Sequence, residues 1–117
     1  VSNSSSSSFL IAYKEGLQPE DVATKLMREF MISNVSPFFE EIHGIARLFA
    51  GAQPLDAEDL EDASDYAKDF YNEATTRGLK IFSGSLGSDG DYDEQFAQNL
   101  KIDIVRKDIM LKSDGRF

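Results

Sequence analysis

The chain has 117 residues, with 21 Asp and Glu against 12 Lys and Arg, a single His and a formal net charge of −9. The absence of Cys excludes a disulfide scaffold, a zinc knuckle, an iron–sulfur site and a thiol nucleophile, and a lone His excludes a His-rich metal centre within one chain. A charge of −9 also opposes direct binding to a nucleic-acid backbone, which needs Lys and Arg to displace counterions.

A chain of this length predicts one domain with a modest core, and nine Phe and four Tyr supply large apolar bodies for it. No apolar run approaches the roughly 18 residues of a membrane span. The first residues lack the basic region and long apolar run of a secretory signal, so a cytoplasmic location is expected, or a virion for a viral protein.

Residues 1–8 read as a flexible serine-rich leader with nothing to bury, and residues 9–117 as a single globular domain. Phe9-Leu10-Ile11-Ala12-Tyr13-Lys14 is a short run of apolar, aromatic and branched side chains and predicts a strand that Gly16 ends. Pro19 suits a first helical position, Glu20 and Asp21 complement a helix N-terminus, and Ala23, Leu26, Met27, Phe30 and Met31 then recur at helical spacing, which predicts a helix over 19–33. Ser36 and Pro37 open a second helix over 37–50, whose apolar residues cover more than half its circumference and place it at the centre of the domain.

A third helix is expected over 57–77, capped by Asp56 and stopped by Gly78. Leu60, Ala63, Ala67, Phe70 and Ala74 fall within about 80° of arc on such a helix. Glu58, Asp62, Asp65, Asp69 and Glu73 fall within an equally narrow arc on the opposite side. Beyond Gly78, strands are expected over 79–83 and 100–105, with a Gly/Ser/Asp loop and a short helix (93–99) between them. Residues 108–112 fit either period, and strand is favoured. This order predicts an α+β fold, three helices packed on a small and mostly antiparallel sheet.

The strongest candidate site is the acidic segment 56–73, which holds eight carboxylates against Lys68, a net charge of −7. Like charges one turn apart cost roughly 0.2–0.5 kcal/mol each in an isolated helix, and a purely structural surface mixes both signs. Glu58, Asp62, Asp65, Asp69 and Glu73 are therefore the candidate contact residues for a basic partner, weighed against a face that meets only water. A sharper form of the idea is imitation of nucleic acid, since carboxylates one helical turn apart approach phosphate spacing along a strand.

The remaining signals are weaker. Asp89, Asp91 and Asp93 occupy the first, third and fifth positions of a calcium loop, but Glu94 and Leu100 stand where Gly and a bidentate Glu belong. They are candidates for a loop contact or a weak cation site, against the plain alternative of a polar turn. Gly84, Gly87 and Gly90 do not form a phosphate loop, and no Lys-Ser or Lys-Thr follows them. Glu40 and His43 form half of a di-iron signature with no second half. No catalytic residue, metal site or cofactor is expected. Residues 101–116 carry a net charge of +2, so the chain has an acidic middle and a mildly basic end that would allow head-to-tail self-association.

The expected function is that of a non-enzymatic interaction module, an accessory or assembly subunit docking on a basic protein surface or larger complex, with no membrane contact. The alternative is an inhibitor of phage type that imitates nucleic acid. A small calcium-binding or enzymatic domain is a third and weaker reading.

Overall fold

The computed structural model describes residues 6–32, 39–87, 95, 97 and 100–113. Its centre is strand β1 (Ser6–Lys14), and the reason lies in the run Phe9–Tyr13. Phe9, Ile11 and Tyr13 project to one face of the sheet, Leu10 and Ala12 to the other, and all five are buried. A strand apolar at every position has to be covered on both faces. β1 accordingly lies between β3 (Leu79–Gly87) and β5 (Ile109–Ser113) in a five-stranded sheet of order β2-β3-β1-β5-β4, in which every neighbouring pair is antiparallel. β2 is the edge pair Gln53–Pro54, and β4 is Ile102–Val105.

Helices α1 (Pro19–Ile32) and α2 (Phe39–Ala50) cover the first face. At the start of α1 the Gln18 backbone N–H donates to Asp21 Oδ2 at 3.3 Å while the Gln18 carbonyl accepts from Asp21 and Val22, so the first turn is closed on itself. Val22, Ala23, Leu26 and Phe30 of α1 and Ile42, Ile45, Ala46 and Phe49 of α2 meet Phe9, Ile11, Ile102, Ile104, Ile109 and Leu111 of the sheet. Phe49 anchors this layer: its ring lies edge-on to Phe9 at 4.8 Å and to Phe30 at 6.3 Å. α2 is not enclosed on all sides, contrary to expectation. Its broad apolar face is shared between the sheet and α1, and His43 and Arg47 are exposed.

α3 (Asp65–Thr76) packs on the opposite face, with Ala67, Phe70 and Ala74 on Leu10, Ala12, Leu79, Ile81 and Met110 and with Leu55 and Ala63 beside them. The single helix expected over 57–77 is broken. A 3₁₀ turn, Ala57–Leu60, is followed by a non-helical step, and α3 begins afresh after Ser64. The Asp56 backbone N–H is claimed by Asp59 Oδ2 at 2.9 Å, and Ser64 Oγ accepts from the Ala67 N–H at 3.3 Å. These local bonds compete with a continuous helix, and the break also separates carboxylates that would otherwise repel across successive turns. Gly78 ends α3 as expected, at φ +73°, a conformation that favours glycine.

The strands also differ in extent from the sequence reading. β1 starts at Ser6, so the expected leader 1–8 gives its last three residues to the sheet, where Ser6, Ser7 and Ser8 pair with Gly87, Leu86 and Ser85. β3 correspondingly runs past residue 83 into what was expected to be loop. The ladder supplies backbone bonds that no side-chain pattern announces. β5 is a strand, as favoured, and closes a tight hairpin with β4 through an Arg106 N–H bond to the Ile109 carbonyl at 2.9 Å. Gln95 and Ala97 are helical, inside the segment expected to form a short helix.

Gly84 sits opposite Phe9 in the ladder, and a Cβ there would lie 2.5 Å from the Phe9 ring. That ring is buried and braced by Phe49, so it has little room to yield. Gly84→Ala is expected to destabilise the fold by about 1–3 kcal/mol. In a Phe9→Leu background most of that added cost should disappear, and urea unfolding of the four proteins measures the coupling.

Candidate functional site

The break before Ser64 divides the five candidate carboxylates. Asp65, Asp69 and Glu73 lie on α3, each about 6 Å along the axis and about 40° around from the last, and form one outward stripe. Glu58 lies on the 3₁₀ turn and Asp62 in the step that follows, so neither continues the helical row. All five are exposed. The continuous line of evenly spaced carboxylates expected over 58–73 is therefore three residues long.

Asp62 has a different neighbourhood. With Asp59 it lines a cleft of about 320 Å³ at the N-terminal end of α3, where Ser8, Ser64, Ser83 and Ser85 converge above Leu10 and Leu55. α3 covers only part of its face of the sheet, and these serines occupy the part beyond it. The sequence holds no signal for this cluster, because it depends on the register that sets Ser8 opposite Ser85 and Leu10 opposite Ser83.

The ionic contacts of the described residues are distributed unevenly. Lys25 bonds Asp108 at 2.8 Å, Lys80 bonds Glu15 at 3.0 Å, Lys112 bonds Asp103 at 2.9 Å, and Arg47 lies 3.6 Å from Glu20. Arg106 Nε reaches Glu29 Oε2 at 2.8 Å, an ion pair whose angle falls outside hydrogen-bond geometry. Within 56–73 only Glu73 has a cationic partner among the described residues, Arg77, at 3.1 Å. The basic end of the chain is thus partly neutralised at Arg106 and Lys112, while the acidic segment is left almost bare.

Lys112 lies beneath α3, with its ammonium 5.4 Å from the centre of the Tyr66 ring. Burial works against its charge, but the hydrogen bond and charge of Asp103, together with Tyr66, outweigh burial and hold its pKa above the ordinary lysine value. An amine held so firmly protonated is no nucleophile.

Other sequence candidates fall apart in space or outside the described residues. Asp89, Asp91 and Asp93 lie outside them. His43 is exposed, with Nδ1 at 3.3 Å from Met27 Sδ. Among the described residues no group of three or more His, Cys, Asp or Glu is placed to hold a metal ion, and no helix is long and apolar enough to cross a membrane. In comparisons with known proteins, no family model, no curated protein and no solved structure matches the chain.

One hairpin is clamped from both faces of the sheet. Asp108, in the β4–β5 turn, is held by Lys25 of α1, and the Arg106 carbonyl of the same turn accepts from Arg77 Nη1, just past α3, at 3.3 Å. The Lys25 hydrogen bond, working against partial burial and aided by the charges of Lys25 and Lys14, holds the Asp108 carboxyl below the ordinary aspartate range. A carboxyl lowered in the folded state stabilises the fold above its unfolded pKa, and that contribution is lost as the pH falls through the lowered value. Both groups remain open to water, with side chains 34% and 47% exposed, so screening limits the pair to roughly 0.5 kcal/mol. Asp108→Asn is expected to lower stability by about that amount at neutral pH. The two unfolding curves should converge as the pH drops below the aspartate range, which chemical denaturation across a pH series would measure.

Proposed function

We propose that this protein is a non-enzymatic interaction module that docks on a basic protein surface through the outward face of α3, as an accessory or assembly subunit of a larger complex. The observation that carries the reading is the contrast in neutralisation. Glu20 and Glu29 on α1, Asp103 on β4, and Glu15 and Asp108 in turns at one end of the sheet have cationic partners, whereas Asp65 and Asp69 of the stripe have none among the described residues.

Two carboxylates about 6 Å apart in water repel by about 0.7 kcal/mol before screening. A partner that places Lys or Arg against the stripe removes that repulsion and adds attraction of similar size at each position. The same field steers the encounter, because charge complementarity acts on association before contact forms. Asp65 is also in the first turn of α3, where its charge favours the helix, so the stripe starts on a stably folded turn.

The imitation of nucleic acid would use the same residues. Its signature is competition, in which DNA or RNA displaces the protein from its partner. A basic partner with no affinity for nucleic acid separates the two readings in favour of assembly.

The test is affinity capture with the wild type and with Asp65→Asn/Asp69→Asn/Glu73→Gln, at about 0.05 M and about 0.5 M salt, where screening lengths differ severalfold. Each substitution is at an exposed position, so stability is expected to stay within about 0.5 kcal/mol per site. The wild type should retain a partner at low salt and release it at high salt. The variant should bind at least about tenfold more weakly, a loss of three rim charges. Capture that survives both the substitutions and the salt would overturn the assignment of this face.

A further inference from the structure

At the end of the sheet remote from the serine cleft, the chain gathers positive charge. The end of β1, the end of α3 and the β4–β5 hairpin surround a cleft of about 380 Å³ lined by Lys14, Arg77, Gly78, Leu79, Lys107 and Asp108. We propose that this cleft binds the phosphate group of a small soluble molecule, a site separate from the acidic face.

The argument rests on which charges are already matched. Glu15, next to Lys14, is taken by Lys80, Asp108 by Lys25, and Glu73 by Arg77. These three acids each have a cationic partner, while Lys14, which acts on Asp108 only through its charge, and Lys107 have no direct ion pair among the described residues. Two ammonium groups with no direct ion pair, lining one cleft, are complemented by one dianion, the charge that a phosphate monoester approaches at neutral pH.

The third cation is already oriented. Arg77 Nη2 donates to Glu73 Oε1 at 3.1 Å and Nη1 to the Arg106 carbonyl at 3.3 Å, so its plane is held and its other N–H groups remain available. The C-terminal carbonyls of α3, which would repel an anion, are partly quenched. Those of Glu73 and Thr75 accept from the Arg77 and Gly78 N–H groups at 3.1 and 3.0 Å.

Size selects the class of ligand. A cleft of about 380 Å³ lies at the small end of ligand pockets, a volume suited to a small molecule. A net charge of −9 also opposes docking on an anionic bilayer, which would approach the whole protein. A small dianion meets mainly the local charges, because screening over about 8 Å at physiological salt attenuates the acids on the far parts of α3.

The test uses the full chain titrated with inorganic phosphate against chloride at matched ionic strength, followed by thermal unfolding and by backbone amide shifts in NMR. Phosphate should raise the unfolding temperature with saturation, as site binding requires. Its amide shifts should centre on residues 14, 77–79 and 107–108. Lys14→Gln/Lys107→Gln, at two exposed positions, should fold normally and weaken phosphate binding by at least about tenfold, while Lys101→Gln leaves it unchanged. A rise that does not saturate, shifts spread over the surface, or equal binding by the Lys14/Lys107 variant would each overturn the proposal. A phosphate-bearing vesicle that binds where free phosphate does not would overturn its restriction to soluble ligands.

Discussion

A strand that is apolar at every position cannot rest against solvent on either side. Phe9, Leu10, Ile11, Ala12 and Tyr13 impose that condition on the whole molecule. They require a neighbour on each edge, which β3 and β5 provide, and a helical layer on each face, which α1 with α2 and α3 provide. Burying one large apolar side chain is worth about 1.5–3 kcal/mol, comparable to a sizeable part of the net stability of a domain this small. The position of every other element follows from that demand, including the glycine at residue 84 that leaves room for the Phe9 ring.

The same architecture sorts the charges. α1 runs beside the ends of β4 and β5, so its Lys25 and Glu29 find partners on that hairpin. Among the described residues no second helix lies beside α3 to offer a cation, and Asp65 and Asp69 of its outward stripe have no cationic partner. Among the described elements, α1 and α2 lie on one side of the sheet and α3 on the other, and the uneven charge of the molecule follows that division. The acidic stripe and the basic cleft both involve α3 or its end, the first through its outer surface and the second through Arg77 and Gly78.

Local chemistry made part of this legible in the sequence. The run Phe9–Lys14, the Pro19–Asp21 helix start, the stop at Gly78 and the alternation of Ile102, Asp103 and Ile104 each carry a strong signal and each lies where it was expected. The pairing of Ser6–Ser8 with Ser85–Gly87 was not legible, because Ser and Gly have little strand preference and the ladder comes from the partner strand. The break at 61–64 was hidden for another reason. Leu60 and Ala63 keep helical spacing with Ala67, so the period alone does not tell a continuous helix from a turn followed by a helix. Asp65, Asp69 and Glu73 were identifiable as a stripe from spacing within one element. Lys14 and Lys107 were not identifiable as neighbours, since only the path β1–β5–β4 brings them together.

The topology also fixes when the molecule can form. β1 leads the described elements, yet both strands that pair with it come near the other end of the chain. A ribosome adding about 5–20 residues per second needs roughly 5–20 seconds to go from the first strand to the last. Until β3 emerges Phe9–Tyr13 has no strand to pair with, and only the helices made before it are available to shield its faces. Long-range pairings of this kind slow folding, because the chain closes a large loop before any of them forms. A segment that is buried throughout in the finished protein is therefore exposed early in synthesis, and the arrival of β5 completes its enclosure within the sheet.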